Sequence, residues 1–198
     1  MLLMKPKSAE FTAPVTSMHW NKEVPNILVT ASIDTTCTVW DLNTLHAKTH
    51  LIAHDKEVFD VAFVAGSEHI FASCGADGSV RMFDLRSLDH STIIYESPPG
   101  GIGTLATSTT TSIRKTSQSA PVNIGPPLLR ISPCTKDANL LATFHLDSPT
   151  ALILDIRQPG KELYNLVAHT GNINASMSFT CTGDLYQFNG LRLRDMYW

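Results

Sequence analysis

Residues 75–84, GADGSVRMFD, bring two aspartates, two glycines, a serine and an arginine into ten positions. With His54 and Ser73 upstream, they supply the residue types of a Ser–His–Asp hydrolytic set. There an imidazole takes the hydroxyl proton and a carboxylate orients the ring. His145 and Asp147 form an H-x-D pair of metal-ligating type, for which the sequence places no third ligand. Cys37, Cys74, Cys134 and Cys181 contain no C-x-x-C pair and no clustered histidines, so neither a zinc site nor a disulfide scaffold is expected. The sequence contains no P-loop or dinucleotide-binding fingerprint.

Whether these groups react or hold a turn depends on whether the chain repeats them. ILVTASIDTTCTVWDL (27–42), IFASCGADGSVRMFDL (70–85) and LLATFHLDSPTALILDI (140–156) each read as an apolar strand, a turn aspartate and an alternating strand closed by an aromatic or leucine and Asp. The first two turn aspartates, Asp34 and Asp77, lie 43 positions apart, within the ~40–45-residue period of WD-type propeller blades. Asp147 follows 70 positions later. The excess falls in residues 98–127, rich in Ser, Thr, Gly and Pro and poor in aromatics, which read as a flexible insertion. An upstream strand also recurs as APVTSMHW (13–20), EVFDVAF (57–63) and NINASMSF (172–179), preceded in the last two by Ala53-His54 and Ala168-His169. Active-site residues have no reason to recur at one blade period, so the turn reading is favoured over the catalytic one.

The pattern of His, Ser/Thr, Asp and aromatic resembles the WD-repeat β-propeller. SIDTTCTVWDL, LIAHDKEVFDVAF, ADGSVRMFDLR and HSTIIYESP are similar to the transparent testa glabra and anthocyanin-regulator group and its animal kinase-scaffold relatives. The resemblance implies an all-β, WD40-type β-propeller, incomplete, with about three to four blades of a ring of seven. It implies blades over 11–97, the insertion at 98–127, a third blade and the start of a fourth over 128–179, and an atypical tail at 180–198. A truncated or alternatively spliced form, or a misread gene, is expected on that reading.

The resemblance further implies a structural network in each blade. It assigns His54, Ser73, Asp77 and Phe83 to the second, the phenylalanine replacing a tryptophan and its N–H donor. Thr30, Asp34 and Trp40 fall in the first, with Phe11 where histidine would stand. Thr143, Asp147 and Leu154 fall in the third, and His169 before the next. Asp55, Lys56 and Glu57 are candidate partner contacts on a loop face. Arg86 and Arg157 end Phe-Asp-Leu-Arg and Leu-Asp-Ile-Arg runs similar to those with which WD-repeat proteins dock on cullin–RING ligase adaptors.

The implied function is a non-catalytic scaffold for transcription regulators of the basic helix-loop-helix and MYB types or for protein kinases. The alternatives are a substrate receptor of a cullin–RING ligase and a truncated non-functional form. No cofactor or metal is implied.

Composition agrees with this class. A formal charge of −3 and 43% hydrophobic content give no basic face for direct nucleic-acid binding. No apolar run approaches the ~20 residues of a membrane span. The opening MLLM is broken at once by Lys5, Pro6 and Lys7, too short for a signal peptide. A cytoplasmic or nuclear location is expected. The insertion generates the first prediction. Limited trypsin digestion should cut first at Arg114 and Lys115, beside the hydroxyls Thr116 and Ser117. First cleavage within the blades would show that the segment is ordered.

Overall fold

The computed structural model describes residues 13–98, 125–167 and 170–173, with the backbone of 178–182 and 185–189. Phe11, His169 and residues 99–124 of the expected insertion lie outside the described residues. Every regular element among the described residues is a strand. The first unit contains β1 (Val15–Trp20), β2 (Ile27–Ser32), β3 (Thr36–Asp41) and β4 (His46–Ile52). The second contains β5 (Val58–Phe63), β6 (Ile70–Gly75), β7 (Ser79–Asp84) and β8 (Ser87–Glu96), and the third β9 (Leu128–Pro133), β10 (Leu140–His145), β11 (Thr150–Asp155) and β12 (Glu162–Val167). A hairpin, β13 (Ser178–Thr182) with β14 (Leu185–Asn189), follows. Each unit is a four-stranded antiparallel meander in sequence order, which is the blade of a WD40-type propeller.

The blades pack face to face, and the core lies between them. Val29 and Val39 of the first share one apolar cluster with Val61 and Phe71 of the second. Ala72 and Val80 share another with Leu128, Leu141 and Leu152 of the third. Middle strands are therefore covered on both faces, and all six residues of β2 and of β11 are buried. Their sequences accordingly read as near-continuous apolar and small runs rather than alternations. The outer strand β4, covered on one face, alternates along its length. Phe83 fills its position by stacking on Phe71, with ring centroids 5.0 Å apart.

The first strands β1, β5 and β9 lie side by side, and one carboxylate ties them. Asp60 of β5 is buried. Its Oδ1 accepts the Ser17 hydroxyl of β1 at 2.5 Å and its own neighbour's Val61 N–H at 3.0 Å. Its Oδ2 accepts the Ile131 N–H of β9 at 3.0 Å. Burial pushes this carboxyl above its usual range, against the opposing effect of those donors and the Arg130 charge.

The described residues on either side of 99–124 also meet. Ser97 Oγ lies 2.8 Å from Gly78 O and 3.1 Å from Pro126 O. A Cβ on Gly125 would sit 2.4 Å from that of Ser97. Ser97 and residues 125–126 thus meet beside the β6–β7 turn.

Asp60→Ala removes the acceptor of three donors from three strands. It should cost about 1–3 kcal/mol in denaturant melts, while Asp89→Ala on an exposed stretch of β8 should stay within about 0.5 kcal/mol. Equal effects would show that Asp60 does not join the blades.

Candidate functional site

The β6–β7 turn, residues 76–78, places Asp77 beneath the loop that leads into β5. Gly78 turns the chain with φ of +75°, which glycine adopts without strain. Gly75 has a different task. A Cβ there would meet Glu57 O at 2.6 Å and crowd the His54 ring at 3.3 Å, so only glycine lets the loop backbone pack this closely.

His54 Nδ1 lies 3.0 Å from both Asp77 oxygens, and Nε2 lies 2.7 Å from Ser73 Oγ. The order of contacts is Ser–His–Asp, as in a nucleophile triad. Access decides against that chemistry. Ser73 is 0% exposed and His54 1%, so no acyl carbon can approach the hydroxyl.

The carboxylate is moreover shared among further donors. Asp77 accepts the Ser79 N–H at 3.0 Å, the Ser79 hydroxyl at 2.8 Å, the Asp55 N–H at 3.2 Å and the Arg81 guanidinium at 3.3 Å. Burial alone would raise the Asp77 pKa. The hydrogen bond and charge of His54, with both Ser79 donors, outweigh it and hold the group well below the usual carboxylate range.

The other two blades carry reduced versions. In the first, Trp40 Nε1 donates to Thr30 Oγ1 at 2.9 Å, and Thr30 Oγ1 reaches Thr38 O at 3.4 Å. Asp34 caps its turn by accepting the Thr36 N–H and hydroxyl at 3.2 and 2.5 Å. Phe83 in the second blade has no N–H to reach Ser73, and His54 occupies that serine instead.

The third blade departs most. Its turn is one residue longer, and Asp147 itself takes the positive φ, +58°, which falls on Thr35 and Gly78 in the other turns. Its side chain is exposed, and the Asn172 amide donates to it at 3.3 Å. The expectation of a buried network aspartate at 147 is thereby corrected. Ser148 caps the turn in its place, at 3.2 Å from the Thr150 N–H and 2.8 Å from its hydroxyl. Thr143 donates to Arg130 O at 2.7 Å, and Leu154 is fully buried where an aromatic was expected.

His145 stands where the second blade has Gly75, each being the last residue of its strand. It therefore brings an imidazole from within the strand itself. His145 Nδ1 donates to Pro126 O at 3.2 Å, and burial lowers its pKa. Among the described residues no group of three or more His, Cys, Asp or Glu could hold a metal ion. Burial pushes the Cys37 thiol up to about 12 and raises Cys74 as well, so both stay protonated and unreactive.

The candidate contact residues sort into two kinds. Lys56 and Glu57 are exposed, while the Asp55 carboxylate pairs with Arg81. Arg86 and Arg157 close back on their own strands. Arg86 forks onto Asp84 at 2.9 and 2.6 Å, and Arg157 onto Asp155 at 2.9 and 2.7 Å. The Arg86 hydrogen bond draws the Asp84 pKa down to about 2, and Arg157 lowers that of Asp155. Both guanidinium groups nevertheless remain largely exposed.

Sequence reasoning missed Ser79, Arg81 and Asp60. A hydroxyl two residues after the turn aspartate recurs, in Asp34-Thr35-Thr36 and Asp77-Gly78-Ser79, and that spacing was the available signal for Ser79. Arg81 and Asp60 carry no such repeat.

The WD domain, G-beta repeat family model matches residues 6–41 and 46–84. These are WD40 repeats. An uncharacterized WD repeat-containing protein of Schizosaccharomyces pombe is 52% identical over 82% of this chain and 35% of its own length. A WD repeat-containing protein of Saccharomyces cerevisiae is 49% identical over 81% of the chain and 29% of its own. The DDB1- and CUL4-associated factor 7 homolog of Dictyostelium discoideum is 48% identical over 84% of the chain and 43% of its own. The chain thus spans less than half the length of each of these relatives.

The three WD40 turns give a graded prediction. Asp77→Asn should cost about 1–3 kcal/mol by stranding buried donors, Asp34→Asn less, and Asp147→Asn within about 0.5 kcal/mol. Because the folded pKa of Asp77 is depressed, its contribution is complete above the ordinary value of about 3.9. It is lost as pH falls below that value and through the folded one. Asp77→Asn should therefore flatten the acid limb of stability against pH; an unchanged limb or a reversed order would contradict the assignment.

Proposed function

We propose that this chain acts as a non-catalytic scaffold that binds other proteins through its blade surfaces. One observation carries the reading: the only Ser–His–Asp set among the described residues is consumed inside a turn, while charged side chains stand on the surrounding loops. Kinship with WD40 repeat proteins supports it. The likeness of residues 32–98 to the transparent testa glabra group and its animal relatives suggests transcription regulators or protein kinases as partners, in the cytoplasm or nucleus.

A second reading is favoured by Arg86 and Arg157. Each follows an Asp at the end of a blade strand, whose carboxylate takes the Nε–Nη2 edge and leaves the outer Nη1–Nη2 edge of an exposed guanidinium for a partner carboxylate. One relative is by name a DDB1- and CUL4-associated factor homolog, and a cullin–RING ligase adaptor is the partner on this reading.

Binding measurements with purified proteins separate the two. Lys56→Glu with Glu57→Lys should weaken capture of a regulator or kinase at least tenfold and leave adaptor capture intact. Arg86→Ala with Arg157→Ala should do the reverse. If a longer WD-repeat relative captures these partners and this chain captures none, the scaffold reading fails for this form.

A further inference from the structure

The first strands of all three blades end at one cavity of about 140 Å³, lined by His19 of β1, Phe63 of β5 and Pro133 of β9, with Lys22 and Glu23 at the β1–β2 loop. We propose that this cavity is a carboxylate-binding site that seats an acidic side chain of a bound peptide, with the His19 Nε2–H as donor and Lys22 as the opposite charge. The proposal rests on the scaffold reading for its choice of a peptide as the carboxylate's source.

The donor is fixed by the fold. The backbone N–H of Phe63 donates to His19 Nδ1 at 3.2 Å, and an N–H can only donate. Nδ1 therefore carries the lone pair, and the neutral ring has its proton on Nε2. No hydrogen bond engages that proton among the described residues. The imidazole is lowered in pKa first by burial and then by Lys22, so the charge felt at the ring is the lysine's.

The loop that carries Lys22 is held in place. Buried Asn21 donates to Glu68 O at 2.9 Å and accepts the Glu23 and Val24 N–H groups at 2.9 and 3.0 Å. This spans from the first blade to the second and fixes the cavity's mouth before any ligand arrives, which lowers the cost of binding.

The chemistry of the lining selects the ligand. The Phe63 ring, its centroid 6.1 Å from that of His19, offers an apolar wall for a methylene stem. A volume near that of a benzene-sized cavity admits a carboxylate on a short stem. Glu23 beside Lys22 opposes a dianion, so a singly charged carboxylate fits better than a phosphate.

The test follows His19 imidazole nitrogen shifts by NMR while the folded chain is titrated with acetyl-Ala-Glu-Ala-amide, its glutamine counterpart or sodium acetate. The glutamate peptide should give a saturable shift and bind at least tenfold more tightly than the glutamine peptide and than acetate. Lys22→Met should weaken binding at least threefold and Glu23→Gln should strengthen it; both positions are exposed, so the fold is kept. Absence of saturation, equal binding of glutamate and glutamine peptides, or insensitivity to Lys22→Met overturns the site. Acetate binding as tightly as the peptide overturns the peptide source. The titration needs no partner protein, so its failure beside intact partner capture removes this site and leaves the scaffold reading standing.

Discussion

The second blade depends on where one negative charge sits. Asp77 gathers donors from the loop before its blade, from its own turn and from Arg81 on the strand that follows. A carboxylate out of water is costly unless its oxygens are filled. Here both are filled by groups that would themselves be stranded without it. The turn, the incoming loop and the strand are thereby fixed together, and Gly75 is required because the Glu57 carbonyl of that loop occupies the space a side chain would take. That mutual requirement explains why residues of catalytic type are concentrated in ten positions.

Asp60 poses the same problem with the opposite outcome. Its donors are a hydroxyl and two backbone N–H groups, and burial prevails, so its pKa is raised where that of Asp77 is depressed. The difference lies in the partners. Asp77 has an imidazole and a guanidinium within hydrogen-bonding distance, and such charge-assisted bonds are the stronger ones. Within a blade the carboxylate is held ionised; between blades it is retained at a cost, joining the first strands of all three. Ionising Asp60 therefore opposes folding as pH rises through the interval between its ordinary and its raised value.

Much of this was legible in the sequence. The turn positions follow from the repeat and the His54–Ser73–Asp77 grouping from the resemblance to WD-repeat proteins, and the buried middle strands announce themselves as runs of apolar and small residues. Asp147 was misassigned because residue type was matched without the backbone: with one more residue in the turn, the left-handed position moves onto the aspartate and swings its side chain outward. Asp60 was invisible because EVFDVAF reads as an ordinary alternating strand, and the groups that satisfy its carboxylate lie 43 and 71 positions away. The pairing of Arg86 and Arg157 with the aspartates two residues before them was within reach of sequence, since both ends are local.

The central claim is that the Ser73–His54–Asp77 set is a closed structural network. It is tested most directly by exposing the folded chain to a fluorophosphonate, which phosphonylates serines activated by a neighbouring base, and mapping the labelled peptide by mass spectrometry. The account predicts no adduct on Ser73 in the folded protein. A stoichiometric Ser73 adduct that disappears in His54→Ala, with the fold preserved by circular dichroism, would contradict it.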